Sequence, residues 1–230
     1  MQSGVRRRYR RGVALGVMAR APSSPGKTRL ASDIPESRLS GLREALLRDT
    51  LAAAAAAADA EVFVFFTPAG GEPEIATLID RPLPMVPQAG GDLGERMAAA
   101  LGHLLQSGEY VGAMLVGSDI PLLSAEHISE AADLLRKHDG VVVGPSDDGG
   151  YYLIGMTALH PGLFEGIAWG TDDVLDETLR AADRLAVELR MIRGDYDVDT
   201  IDDLRRLERD LAQLPTEVAP HVRAWLADTR

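Results

Sequence analysis

The residues best equipped for chemistry in this chain are acids and bases placed at the ends of apolar runs. Val111–Pro121, VGAMLVGSDIP, is one such stretch. A run this short and apolar reads as a strand buried on both faces, and Gly117 and Pro121 stop it. Asp119 then stands at the carboxyl end of a central strand, the edge of an open α/β sheet where ligands bind. A carboxylate fixed there can hold a cation. The next helix is better capped by Ser124, which leaves Asp119 for metal or substrate.

A second group follows the apolar run Val13–Ala19. Arg20-Ala-Pro-Ser-Ser-Pro-Gly-Lys-Thr-Arg-Leu30 is a loop by its prolines, serines and glycine. Lys27, Thr28 and Arg29 end it, and backbone N–H groups with two cations make a cradle for phosphates. The alternative is that Lys27 and Arg29 are ordinary solvated charges. The spacing is neither the Walker A loop nor the Rossmann fingerprint. A third group, Gly194-Asp-Tyr-Asp-Val-Asp-Thr200, sets Asp195, Asp197 and Asp199 on one face of an extended segment. Three like charges repel unless a cation or hydrogen bonds compensate. Helix capping explains Asp202 and Asp203 but neither Asp197 nor Asp199.

Two glycine-rich segments complete the set. Gly90, Gly91 and Gly94 in Gln88–Met97 let a flat ligand approach the backbone. Ser146-Asp-Asp-Gly-Gly150 is either a hairpin turn or a backbone floor that offers Asp148 to a substrate. Asp172 and Asp173 read as capping residues of a helix begun by Thr171. The histidines, at 103, 127, 138, 160 and 221, fall on helices or their ends and read as surface residues. No Ser-His-Asp arrangement is readable, so the chemistry points to metal-assisted displacement without a protein nucleophile.

The elements that must hold these groups alternate. Strands are expected over 13–19, 61–67, 84–88, 111–116, 140–145, 151–156 and 187–192. Helices are expected over 37–58, 92–106, 124–137, 172–184 and 201–211, with a short turn at 160–164. Thr200 and Asp203 form a capping box. The alternation predicts a single-domain three-layer α/β/α fold around a mostly parallel, doubly wound sheet. It covers residues 13–214, after a disordered basic leader over 1–12 and before an accessory helix over 215–230 anchored by Trp225. The strand ends carrying Lys27 and Arg29, Asp119, and Asp197 and Asp199 can meet on one rim.

Composition narrows the partners. The 230 residues are 46% apolar, enough for one core, and there is no cysteine, which excludes disulfides and thiolate metal sites. The net charge is −11, and five arginines lie between Arg6 and Arg11, so the body carries about −16 (−11 minus 5). An acidic body excludes nucleic acid as the expected partner. No run approaches the length of a membrane span. The expected location is the cytoplasm.

Several motifs, taken in order, match a known family. They are Pro25-Gly-Lys-Thr-Arg-Leu30, Asp92-Leu-Gly-Glu-Arg-Met97, Gly117-Ser-Asp-Ile-Pro121, Gly144-Pro-Ser-Asp-Asp-Gly-Gly-Tyr-Tyr-Leu-Ile-Gly155, Trp169-Gly-Thr171 and Asp197-Val-Asp-Thr200. The chain resembles bacterial glycosyltransferases associated with arsenosugar biosynthesis, within the nucleotide-diphospho-sugar transferase superfamily of GT-A type. It is also similar to guanylyltransferases acting on phospholactate, phosphoenolpyruvate or the molybdenum cofactor. The resemblance implies that Lys27 and Arg29, with Thr28, hold the triphosphate. It places Gly91, Gly94 and Arg96 beside base or ribose. It implies a divalent cation, Mg²⁺ or Mn²⁺, on Asp119, Asp199 and nearby Asp197. Asp148, Gly149, Gly150, Trp169 and Thr171 would line the acceptor side. Lys27, Arg29 and Asp119 are the expected catalytic set.

Sugar-nucleotide glycosyltransferases commonly carry Asp-x-Asp at the strand end, whereas here Ser118-Asp119-Ile120-Pro121 has one Asp. That departure, with a basic loop suited to a leaving pyrophosphate, favours nucleotidyl transfer from an NTP to a phosphorylated small molecule. Glycosyl transfer from a nucleotide-diphospho-sugar is the alternative, and a non-catalytic nucleotide-binding relative the third. A nucleotide donor and a small-molecule acceptor are the expected partners, with homodimerisation left open.

Overall fold

Alternation of side chains across a pleat explains how the first strand serves two cores. In β1 (Arg11–Arg20), Val13, Leu15 and Val17 point to one apolar cluster and Ala14 to another. A strand buried on both faces belongs at the centre of a sheet covered by helices on both sides, and a computed structural model describing residues 11–228 shows this arrangement. The other strands are β2 (Ala60–Thr67), β3 (Met85–Pro87), β4 (Tyr110–Val116), β5 (Val141–Pro145), β6 (Tyr151–Met156) and β7 (Leu189–Met191). They form one seven-stranded sheet in the order β3-β2-β1-β4-β6-β5-β7. All strands are parallel except β6, which runs antiparallel between β4 and β5. The doubly wound, mostly parallel single domain expected from the alternation is the fold observed.

The consequence for the site is geometric. The six parallel strands bring their carboxyl ends to one rim, and β6 begins there because it runs the other way. The loops after β1, β3, β4, β5 and β7 therefore share an edge.

The helices are α1 (Glu36–Ala56), α2 (Glu72–Ala76), α3 (Leu93–Gln106), α4 (Ala125–Lys137), α5 (Val174–Leu185), α6 (Ile201–Leu211) and α7 (Pro220–Ala227). The long α1 has two apolar faces. Leu47, Leu51 and Ala54 face the sheet, while Leu39, Leu42 and Leu46 meet α6 and α7 in a third cluster. Trp225 of α7 packs there, donates Nε1–H to the Arg38 carbonyl at 3.0 Å, and lies under the Arg38 guanidinium.

Some expectations are corrected. Arg11 and Gly12 extend β1 and so do not belong to a leader; the rest of that expected segment lies outside the described residues. Helix α5 starts at Val174 after Asp173, two residues later than a Thr171 cap would place it. Thr171 instead donates its hydroxyl to Ala168 O at 2.9 Å, closing the loop before the helix. Strand β7 is three residues long, because the chain leaves the sheet at Ile192 to run along the site. Among the described residues no helix is long and apolar enough to cross a membrane.

Candidate active site

Lys27 is the centre of the rim. Its backbone has φ 54°, a left-handed conformation that a lysine adopts only when its surroundings enforce it. Its side chain is 3% exposed, and Nζ lies 3.2 Å from Asp119 Oδ1 and 3.3 Å from Asp199 Oδ1. It also donates to the Val198 carbonyl at 2.7 Å. The loops after β4 and β7 are further joined by Val198 N–H donating to Asp119 O at 3.2 Å. Burial pulls the Lys27 ammonium down, but the two carboxylates outweigh it and hold its pKa above the ordinary value. The ammonium thus neutralises a carboxylate pair, and among the described residues Arg20 and Arg29 are the loop's cations without an ion pair.

Arg43 fixes the rest of the loop. This α1 side chain is 8% exposed. Its Nε donates to Pro22 O at 2.8 Å, one Nη to Gly26 O at 3.2 Å, and the other Nη meets Glu36. Fixed carbonyls leave the loop's outer surface to Gly26, Thr28 and Arg29. The result is a cavity of about 440 Å³ lined by Arg20, Lys27–Arg29, Arg43, Ser118, Asp119 and Asp199. Arg43 was not among the residues the sequence singled out. Its signal was a charged residue amid Leu39, Leu42, Leu46 and Leu47, which form the buried face of a helix.

A second cavity, of about 250 Å³, adjoins on the other side of Asp119. Of the residues expected to face an acceptor, Asp148, Gly150, Trp169 and Thr171 line it and Gly149 does not; Asp197, expected at the metal, lines it too, with Ser146 and Tyr152. Asp119 lines both cavities, Asp199 only the first and Asp197 only the second. Burial, then Asp148 and Asp199, push the Asp197 carboxyl up to about 6. Gly149 is required by its φ of 85° and by the carbonyl of Asp172 beside it. Asp148 Oδ1 accepts from Gly150 N–H at 2.9 Å, so it both braces the turn and faces the cavity.

Gly91, Gly94 and Arg96 lie at the start of α3, which Asp92 and Glu95 cap reciprocally. None of the three lines either cavity. Gly94 lets the Trp169 ring close on the helix, since a Cβ there would come within 2.6 Å of it. Arg96 Nε donates to Asp92 O at 3.1 Å and leans toward Gln88. Gln88 was passed over, yet it donates to both Ala19 O and Phe65 O and ties the ends of β1 and β2 together. A larger cavity, of about 610 Å³, lies at the opposite end of β1 and β2, and none of the candidate site residues lines it.

The three alternating acids do not share one environment. Asp195 turns to His127, with Oδ2 3.8 Å from Nε2. His127 is 6% exposed, a correction to its reading as a surface residue. Its Nδ1 accepts from Ser124 N–H at 3.2 Å and faces Arg193, so the ring proton sits on Nε2, toward Asp195. Burial and then Arg193 pull its pKa down to about 4. Among the described residues no three His, Asp or Glu side chains are grouped as a ready-made metal cage. Asp119 and Asp199 are oxygen donors of the kind that suits Mg²⁺ or Mn²⁺. Mg²⁺ at nucleotide sites takes only one or two carboxylates, completed by substrate phosphates and water.

A family model described as an uncharacterized protein conserved in bacteria, DUF2064, matches residues 50–171. The chain belongs to the DUF2064 family. The matched segment carries Asp119, Asp148 and Trp169, while Lys27 and Asp199 lie outside it. This DUF2064 chain is 30% identical over 152 residues to 3-phospho-D-glycerate guanylyltransferase of Phenylobacterium zucineum strain HLK1, spanning 65% of the chain and 69% of that protein. It is also 30% identical to a protein of Desulfovibrio desulfuricans G20 provisionally named a nucleotide-diphospho-sugar transferase. The TM-score there is 0.85, and 94% of each chain is covered. The 4-diphosphocytidyl-2C-methyl-D-erythritol synthase of Anaerococcus prevotii DSM 20548 shares the fold at 12% identity, with TM-score 0.60 over 88% of this chain and 96% of that one. With these relatives, the protein is a transferase of the nucleotide-diphospho-sugar transferase fold.

Proposed function

We propose that this DUF2064 protein transfers a nucleotidyl group from a nucleoside triphosphate to the hydroxyl of a small molecule, assisted by a divalent cation. The observation that carries this is the placement of Asp119 on the wall between a basic cavity and an acidic, aromatic one. Donor phosphates lie in the first cavity against Arg20, Arg29 and the N–H groups of the loop. The acceptor occupies the second. Its oxygen bonds to the α-phosphorus, the bond to the β-phosphate oxygen breaks, and pyrophosphate leaves toward the arginines. The acceptor proton passes to Asp197, the carboxylate that lines only the acceptor cavity. Mg²⁺ or Mn²⁺ would be held by Asp119 and Asp199, with Asp197 alongside, and would supply charge stabilisation at the phosphates. Lys27 keeps the two carboxylates from repelling each other. Thr28 borders the donor phosphates, and Gly91, Gly94 and Arg96, outside both cavities, would meet only its base or ribose.

The single Asp of Ser118-Asp119-Ile120-Pro121 and the guanylyltransferase relative support nucleotidyl transfer. The Desulfovibrio relative's provisional name supports glycosyl transfer from a nucleotide sugar as the second reading. A thermal-shift screen separates them. A ligand at a hundred times its Kd stabilises by about 2.7 kcal/mol, or roughly 5–10 °C for a chain of this size. Nucleoside triphosphates with Mg²⁺ or Mn²⁺ are expected to give such a shift, and nucleotide sugars a smaller one. Equal shifts for both would remove the preference, and no shift from either would end the donor reading.

A further inference from the structure

The acceptor cavity has walls of a kind that says what it admits. Three of its lining groups are carboxylates, Asp119, Asp148 and Asp197, and among the described residues no lysine, arginine or histidine lines it. Arg20 and Arg29 line the donor cavity on the other side of Asp119, and the other cations around the site are committed elsewhere. Lys27 holds Asp119 and Asp199. Arg206 pairs with Asp147 at 2.7 Å and lies over the Tyr196 ring, and Arg193 is turned to Ser124 and His127. Two helices begin on this wall and could attract an anion: α3 at Leu93, whose start Asp92 and Glu95 already cap, and α5 at Val174. In α5, the Leu175 N–H already donates to Gly149 O at 2.8 Å, and Asp176 and Glu177 occupy the first turn. The remaining surface is apolar or aromatic: Leu93, Met97, Ile120, Tyr152 and Trp169. The Trp169 indole N–H is buried against Gly94 with no hydrogen-bond partner among the described residues.

We infer that the acceptor of this enzyme carries no phosphate or carboxylate, and is an uncharged, hydroxylated small molecule with an apolar face. This rests on the transferase reading of the same site, replaces the phosphorylated acceptor expected from the sequence, and differs from what the name of the guanylyltransferase relative says of that protein. A bound divalent cation does not reverse the argument. Its two charges and that of Lys27 only balance Asp119, Asp197 and Asp199, and the donor's phosphates then add negative charge. Asp148 stays unpaired on the far wall. A phosphate monoester would meet this surface with nothing to answer its charge, whereas hydroxyls find carboxylate acceptors, the Ser146 hydroxyl and a flat ring to lie against.

The experiment uses the full chain with Mg²⁺ and a saturating nucleoside triphosphate. Thermal shift first shows that the donor binds, so a failed donor is told apart from a wrong acceptor class. The loaded protein is then titrated calorimetrically with 3-phospho-D-glycerate and with D-glucose 6-phosphate. The wild type is expected to show no saturable binding of either. Asp148→Asn keeps an oxygen to accept from Gly150 N–H but removes the charge. A carboxylate on the cavity wall is worth at least about a tenfold change at an effective dielectric constant near 20, so this variant is expected to bind both esters saturably where the wild type does not. Saturable binding by the wild type overturns the inference, and so does an Asp148→Asn variant that gains nothing.

Discussion

Lys27 shows how a single residue can hold a site together before any ligand arrives. Its ammonium separates Asp119, whose side chain is 54% exposed, from Asp199, at 39%. Lys27→Met would leave two carboxylates facing each other. Removing one partner of a fully buried pair costs about 3–5 kcal/mol. Solvent reaches both acids here, so a loss of about 1–2 kcal/mol is expected. A melting curve should show a drop of several degrees, with Mg²⁺ restoring part of it. A variant as stable as the wild type would mean that the acids do not need the ammonium. His127 gives a pH-dependent counterpart. The unfolded state takes a proton near 6.5 and the folded state only near 4. Between those values the unfolded chain binds more protons, so this histidine's contribution to stability falls as pH falls. Replacing it with Gln should flatten the fall in Tm between pH 7 and pH 4.5 relative to wild type; parallel curves would contradict the neutral tautomer. The sequence showed Lys27 and Asp119 as chemistry-bearing, but not that they touch. That contact depends on a left-handed backbone at Lys27 and on Asp199, which shares the ammonium from 172 residues away. His127 was misread because a capping box can be closed by the ring nitrogen of a histidine as well as by a carboxylate.

The order of strands and helices was legible because alternating apolar runs and caps are local. Ser124, Thr200 with Asp203, and Asp92 with Glu95 each mark a helix start by their own spacing. What spacing does not carry is which loop meets which. Asp195, Asp197 and Asp199 alternate in sequence, yet the segment leaves the sheet beside β5, with Asp195 N–H donating to Pro145 O at 3.0 Å. Its acids therefore end against three different neighbours. Gly94 is the sharpest case of packing between elements. Gly94→Ala would drive the α3 surface into Trp169 and shift the wall of the acceptor cavity. The expected kinetic signature is a raised acceptor KM with the donor's apparent affinity changed less than about twofold, because donor and acceptor contacts are separate terms. Equal losses on both would mean that α3 positions the donor too.

At the scale of the molecule, a doubly wound sheet gathers cations from the first loop, an acid from the fourth strand and acids from the last onto one rim. That convergence was inferred from topology, and the parallel register of β1 with β2 and β4 accounts for it. The two cavities meeting at Asp119 were not legible, since cavity walls are made by side chains from five separate loops and helices. Asp119→Asn preserves size and leaves Lys27 paired with Asp199, so the fold should hold, as circular dichroism and melting would show. Calorimetric titration of this variant with a nucleoside triphosphate and Mg²⁺ is the most direct measurement. Loss of the Mg²⁺-dependent part of the affinity, by at least about tenfold for the removal of a charged ligand oxygen, is the predicted result. Unchanged affinity with and without Mg²⁺ in a folded variant would contradict the account.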